Sequence, residues 1–438
     1  MKKIYILLGS LLFITACSTD LDQSPSNIAS ADSLTDFTGV LNAAYYYQLS
    51  TSAPMALMGD FRADNALMLE SPNADIDVFN NALPSQEDQF FGPFYTALYK
   101  SILSANIVIE NSTNDVDVAE AKFLRGLSYF KLVMAFGDVP VNLSASPSLT
   151  DTEALARQPK ASVYSNVIIP DLTDAMAVLS TEIVDGRASK YAAQGMLGKV
   201  YATMGDYASA VPHLADVVNG AASAGIVLEP NFSEIFGVAN EVGNTEIIFA
   251  TQKSASIADE YNFATDFSGW FSGNDSKSDF PIDADLIAAF DAAGDVTRKA
   301  VTLDDVGTRA IKFPIDGADD HDWIELRLAD VILLYAEALN ETGSPASTVL
   351  PLLDDIRTRA GLASLTGTAT TQAEVRQAIL DERRLELALE GHRWFDLIRA
   401  GVVDAEMGEA INTNYYLFPI PVSEVLATNG VITQNPGY

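Results

Sequence analysis

The sequence predicts a mainly α protein: a tetratricopeptide-like scaffold of helix pairs with long irregular loops and minor β. Three observations predict it. Apolar residues recur at three-and-four spacing in segment after segment. Small and bulky residues alternate at helix-pair offsets in 192–218, through Gly198, Tyr201, Gly205, Tyr207, Ala210, Leu214 and Val217. Strand signals are confined to 245–250 (TEIIFA) and 312–315 (KFPI).

The first segment is not part of that scaffold. Lys2 and Lys3 supply a positive start, and residues 4–16 form an apolar run too short to span a bilayer. The run ends Ile14-Thr15-Ala16-Cys17, an aliphatic residue, two small residues and the only cysteine. A lipid must be added to a thiol, and a peptidase must then accommodate small side chains just before it. Residues 1–16 therefore read as a lipoprotein signal peptide and Cys17 as the lipid anchor. A single cysteine forms no intramolecular disulfide, and lipidation removes the liability of a free thiol in an exported protein. Each buried lipid CH₂ contributes about 0.8 kcal/mol, so more than one acyl chain gives lasting attachment. Residues 17–33 are polar and acidic, as suits a tether, and the folded body is expected to span 34–438.

Helical periodicity then predicts helices over 34–49, 90–110 and 118–136, the last with Phe123, Leu127, Phe130 and Met134 on one face. It continues over 162–179, 189–204, 207–219, 325–341, 347–359 and 373–390. The pair 325–359 repeats the helix-pair pattern through Ala336, Leu339 and Gly343, and 373–400 reads as a further pair turning at Gly391.

The formal charge of −33 repels phosphate backbones, so nucleic acid is excluded as a partner and polyanionic glycans are disfavoured. No Gly-x-Ser-x-Gly elbow, His-Glu-x-x-His or Gly-x-Gly-x-x-Gly is present. Gly195 to Lys199 (GMLGK) lacks both the length of a P-loop and its following Ser/Thr. His213, His321 and His392 lie far apart in sequence, and Asp319-Asp320-His321-Asp322 reads as a solvated acidic loop rather than a cation site. No catalytic residue, metal or cofactor is implied, and the chain reads as a binding protein rather than an enzyme.

Four segments resemble the SusD/RagB family of outer-membrane lipoproteins: AEAKFLRGLSYFKLVMAFGDVPV (119–141), WIELRLADVILLYAEALNETG (323–343), ILDERRLELALEGHRWFDLIRAG (379–401) and the terminal YYLFPIPVSEVLATNGVITQNPGY. The resemblance implies a single SusD-like domain over 34–438. Its helical-repeat half covers about 34–220, with four tetratricopeptide-like helix pairs, and its irregular half about 260–438. It further implies a SusC-like TonB-dependent transporter as partner and a non-catalytic role in capturing an oligo- or polysaccharide. The acidic residues after Cys17 resemble the family's surface-export signal, which implies the outer leaflet of the outer membrane, with membrane contact through the N-terminal lipid only. A RagB-like relative binding peptides or another nutrient, with the same transporter partnership, is the alternative.

The charged residues inside these segments (Glu382, Arg383, Glu386, Glu390, Arg393 and Asp396, with Arg327, Asp330 and Glu337) read as ion pairs locking helices around a buried Trp394. Candidate glycan contacts lie elsewhere, because sugars need ring faces and planar polar groups on loops held by a rigid scaffold. The segment 255–281 gathers Tyr261, Phe263, Phe267, Trp270 and Phe271 among Asn, Asp, Ser and Gly. The resemblance implies that ligand loops come from this region and from the stretch after the first helix, where Asp60, Arg62, Asp64 and Asn65 stand near Phe79 and Asn80. Trp270 is expected to form an exposed platform with Tyr261, Phe263 and polar groups near Asn65; failing that, the site is to be sought between residues 60 and 90.

The anchor assignment is directly testable. Cys17→Ala should leave the body folded but move the protein from the membrane to the soluble fraction. Recovery of the variant in membranes at wild-type levels would refute the lipoprotein reading.

Overall fold

The structure, a computed structural model, describes residues 34–69, 73–148, 151–184, 186–253, 266–272, 281–313 and 321–438. Cys17, Tyr261 and Phe263 lie outside the described residues. The first helix, α1 (Thr38–Tyr46), buries Leu41 and Ala44 against α2 (Gly92–Asn111), which carries a proline in its first turn where no N–H partner is lost. The next, α3 (Asp115–Phe136), is capped by Asn114, whose Oδ1 accepts from the Val116 N–H at 3.0 Å, and ends at Gly137 with φ of 74°. Phe123, Leu127 and Phe130 are buried and Met134 is half-buried, so the expected face is the packed one. Almost every other side of α3 is covered as well, since α2 and α4 (Ile169–Val178) flank it.

Two helices with side-chain caps follow. In α5 (Lys190–Thr203) Ser189 accepts from the Ala192 N–H at 3.1 Å, and in α6 (Tyr207–Gly220) Asp206 accepts from the Ser209 N–H at 3.1 Å. A Cβ on Gly198 would sit 2.5 Å from Leu214 of α6, which explains the small residue there: it sets how closely the two helices approach. Tyr201 stacks on His213 across the same seam, centroids 5.6 Å apart. Beyond a short helix, α7 (Asp266–Ser272), come α8 (Leu328–Glu341), α9 (Ala346–Arg359), α10 (Gln372–Glu386) and α11 (Arg393–Ala400). Thr371 and Glu374 form a reciprocal capping box at the start of α10. Each scaffold helix packs on its successor: α2 on α3, α3 on α4, α4 on α5, α5 on α6, then α6 on α8 and α8 on both α9 and α10.

Strand content among the described residues is two small antiparallel sheets, β1 (Val139–Pro140) with β2 (Arg157–Gln158) and β3 (Ile247–Thr251) with β4 (Trp323–Arg327). Three local expectations are corrected. Residues 325–327 belong to β4 and not to the helix that follows, because their backbone pairs with β3. Lys312 and Phe313 form a bend and no strand, since the Lys312 Nζ is drawn inward to Glu390 at 2.7 Å. The helix after Gly391 does not pair along α10; α11 packs chiefly on the helical turn Leu57–Phe61, the chain turning at Gly391 with φ of 79°.

The interior holds an extended lattice of ion pairs. Arg327, 1% exposed, donates through Nη1 to Glu246 (2.7 Å) and Glu386 (2.6 Å), and through Nε and Nη2 to both oxygens of Glu390 (2.8 Å each). Arg298 bridges Glu382 (2.7 Å) and Glu386 (2.9 Å), which places those carboxylates on one face of α10 as their spacing requires. Arg359 pairs with Glu246 and Glu386. A second cluster joins Arg383 to Asp330 (2.8 Å) and Asp396 (2.9 Å), and Arg399 to Glu337 (2.8 Å). Trp394 is fully buried beside it. The charged residues of the motif segments are therefore structural, as read from their spacing. Burial works against the charge on Arg327, but Glu390 and Glu386 outweigh it and hold the guanidinium charged. Burial opposes ionisation of Glu386 too, and Arg359, Arg327 and Arg298 bring its carboxyl well below the usual range.

Breaking such a pair leaves an uncompensated buried charge, which costs ~3–5 kcal/mol. Arg327→Met should lose stability on that scale in chemical denaturation. Lys299→Met, which removes the exposed pair with Asp291, should change it by less than ~1 kcal/mol. Equal effects of the two substitutions would refute a lattice-dependent core.

Candidate functional site

The stretch that leaves the Leu57–Phe61 turn is bound to the interior at every step. A Cβ on Gly59 would lie 2.1 Å from the Gly391 carbonyl carbon, so only glycine lets these two backbones touch. Asp60, fully buried, accepts from the Asn65 side chain (2.8 Å) and from the N–H groups of Gly391 (2.6 Å) and Leu389 (3.2 Å). Leu389 has φ of 67°, a backbone conformation costly for a branched side chain, and the Asp60 bond helps to hold it. Burial pushes the Asp60 carboxyl up to about 6. Asp64 pairs with Arg393 (2.7 Å), and Asn65 Oδ1 accepts from Arg384 (3.1 Å).

Above this floor residues 67–69 and 73–82 form a shelf. Arg62, 1% exposed, lies beneath it and donates to the carbonyls of Ile76 (2.6 Å), Val78 (3.1 Å) and Tyr415 (3.3 Å). Its guanidinium is 4.0 Å from the centroid of Phe79, whose ring also stacks on Trp394 at 5.4 Å. Burial lowers Arg62 to about 10. With its underside fixed, the shelf presents Leu69 (60% exposed), Val78 (43% exposed) and the exposed amides of Asn80 and Asn81. Asn80 is held by its own turn, Oδ1 accepting from the Ala82 N–H at 2.8 Å. One edge is tied to the middle of the chain: Leu67 N–H donates to the Pro281 carbonyl (2.7 Å), Ala66 bridges Ile282, and Asp283 N–H donates to the Asn65 carbonyl (3.1 Å). Chemically the shelf offers aliphatic surface beside planar amides, groups suited to the C–H faces and hydroxyls of a polar ligand.

Comparison with known proteins bears on what such a scaffold is. A model described as "SusD family" matches residues 315–414, and one described as "Starch-binding associating with outer membrane" matches 17–202. SusD-like protein P2 of Formosa agariphila is 26% identical over the full length of both chains. The chain belongs to the SusD/RagB family. Among its SusD-like relatives, the starch-binding protein SusD of Bacteroides thetaiotaomicron is 23% identical, with 97% of this chain and 96% of that protein covered. A solved structure titled as a laminarin-binding SusD-like protein shares the fold, with a TM-score of 0.73 at 24% identity over 92% of this chain and 99% of that one.

In this SusD-like chain the expected site residues take a different role from the one anticipated. Trp270 is fully buried: it meets Phe90 edge-to-face at 5.4 Å, while Phe271 stacks on Phe61 at 4.7 Å. An exposed platform at Trp270 is thus ruled out, because the Trp270 and Phe271 rings are spent anchoring α7 to the core. Asp60, Arg62 and Asn65 are buried as well and hold the shelf from below, where a ligand does not reach them. The acidic segment is also corrected where it is described. His321 is 2% exposed, and Asp322 accepts from the Lys253 N–H at 2.8 Å, so these two do not belong to a solvated loop. Asp319 and Asp320 lie outside the described residues. What sequence reading missed is the outward set Leu69, Val78 and Asn81; its only trace was apolar residues standing among polar ones without helical period.

Asp77 sits at the shelf's edge, accepting from the Met68 N–H at 3.0 Å. Burial raises its carboxyl to about 7, from ~3.9 in an unfolded chain. The folded chain therefore holds a proton that the unfolded chain has released between about pH 4 and 7, so this group's contribution to stability falls as pH rises through that window. Asp77→Asn should melt higher than wild type at pH 8, by roughly 1–3 °C, and match it at pH 4. The reverse ordering would show that the charged form is the one the fold stabilises.

Proposed function

We propose that this chain is a non-catalytic glycan-binding lipoprotein of the cell surface, held in the outer membrane by a lipid on Cys17. In this reading it passes oligo- or polysaccharide to a SusC-like TonB-dependent transporter. The observation that carries it is the shelf: exposed aliphatic groups and two adjacent amides, made rigid by a buried arginine, on the loop where a SusD-like protein is expected to meet its ligand. The relatives support the ligand class, since one is named for starch binding and one solved neighbour is titled for laminarin. The family description that includes outer-membrane association supports the location. Among the described residues no helix is long and apolar enough to cross a membrane.

A net charge of −33 narrows the ligand to neutral glycans, because each anionic sugar would approach against the field of the whole protein. The transporter partnership rests on family membership and would show as co-purification of a large outer-membrane protein with the native lipoprotein.

Affinity gel electrophoresis of the purified Cys17→Ala chain in neutral polysaccharides tests the binding reading. Wild-type mobility should be retarded by at least one of them. Asn80→Ala/Asn81→Ala should weaken that retardation roughly tenfold, the scale of losing two polar contacts of about 0.5–1.5 kcal/mol each, with circular dichroism unchanged. Undiminished binding by the double variant would move the site off the shelf.

A further inference from the structure

A cavity that shares no residue with the shelf lies between α1 and β3, closed at one end by Gly186 and Arg187, with a volume of about 370 Å³. That is within the ~300–1,000 Å³ range of small-molecule sites. Tyr45 and Tyr46, both half-buried, form one wall, and Phe249 of β3 lies opposite. Gln48 and Thr251 make the floor, 1% and 5% exposed.

The floor is fixed from behind by a buried polar network. Gln48 Nε2 donates to the hydroxyls of Ser101 (2.9 Å) and Ser128 (2.8 Å), while its Oε1 accepts from Lys131 (3.1 Å). Lys131 also donates to Thr51 (2.8 Å) and to Glu325 (2.5 Å), and Glu325 accepts from the Thr251 hydroxyl (2.8 Å). Lys131 is 2% exposed, and a pair buried this deeply adds little stability over apolar residues of the same volume. What the pair does accomplish is to orient an amide and a hydroxyl at the bottom of a solvent-facing cavity.

The rim is built with similar definition. The Arg187 guanidinium lies 4.9 Å from the Tyr45 centroid and donates to Glu120 (3.2 Å) and to Asn42 Oδ1 (2.8 Å). Glu120 balances its charge, so the cavity is not an anion trap. Gln252 is exposed and lies against Gly186; a Cβ there would come within 2.1 Å of its Oε1. Glycine at 186 is thus what makes room for that amide.

Aromatic walls, two rim amides, a neutralised guanidinium and a preoriented polar floor match the demands of an uncharged sugar ring. We propose that this cavity is a second, independent binding site for a neutral pyranose unit, so that the protein grips a glycan at two places. The inference rests on the glycan-binding reading above, and the two can fail separately. A long chain that engages both sites gains affinity from effective concentration without new contacts.

Affinity gels in laminarin, soluble starch, xyloglucan and galactomannan, using the Cys17→Ala chain, test it. Asn42→Ala/Gln252→Ala should reduce retention by a polysaccharide that retards the wild type by roughly threefold to tenfold. Combined with Asn80→Ala/Asn81→Ala it should abolish what the shelf variant leaves. Crystals soaked in glucose should show a ring between Tyr46 and Gln252 as the second readout. If the cavity variant is retained like wild type, or the soaked cavity stays without sugar, the second site is overturned and the shelf reading stands. If no polysaccharide retards the wild type, both readings fall.

Discussion

Most of this molecule depends on carboxylates of the 379–401 segment meeting three arginines and a lysine that come from elsewhere in the chain. Glu386 alone receives Arg298, Arg327 and Arg359, while Glu390 receives Arg327 and Lys312. None of these charges could remain ionised alone in the interior, since each would carry a desolvation penalty of several kcal/mol. Together they are saturated: every carboxylate oxygen of Glu386 and Glu390 has a cationic donor. The lattice therefore fixes how α8, α9 and α10 and the β3–β4 sheet sit on one another. Apolar packing alone would leave more freedom, because hydrophobic contact is non-directional and a guanidinium fork is not.

The same lattice reaches the candidate site through backbone. Glu390 is followed by Gly391, whose N–H is held by Asp60, and by Arg393, which holds Asp64. Residues more than three hundred positions apart thus share one set of hydrogen bonds, and the floor of the shelf is continuous with the ion-pair lattice. A binding surface gains from this arrangement. Its exposed groups are few, and what holds them is buried, so little side-chain entropy remains to be lost when a ligand binds.

Aromatic residues divide by the same logic. A ring in a loop rich in Gly, Ser and Asn looks available for a ligand, but Trp270 and Phe271 fill the space beside Phe90 and Phe61. At the shelf, Phe79 is enclosed by Arg62 and Trp394 and works as a support. Two rings that do line a solvent-connected space, Tyr45 and Tyr46, come from the C-terminal turn of α1, where helical periodicity marks them as packing residues. Exposure of an aromatic is decided by its neighbours in space, and the local composition of a loop carries little information about it.

The amino-acid sequence by itself determined the helical scaffold, because periodicity and small residues act over a few positions. The helices expected over 118–136, 189–204, 207–219 and 373–390 are present, and the structure adds the caps Asn114, Ser189, Asp206 and the Thr371–Glu374 box at their starts. Gly198 announces the close approach of α5 and α6 through its spacing alone. The buried role of Glu382, Glu386 and Trp394 was likewise legible, since charges at helical spacing beside a tryptophan have few other uses. Only the tertiary structure decided which loop groups face outward. Arg62, Asp60 and Asn65 look like ligand groups until Ile76, Gly391 and Arg384 are brought to them from far along the chain. The physical reason is range: helix signals are local, whereas burial of a loop side chain depends on partners hundreds of residues away, which no spacing rule records.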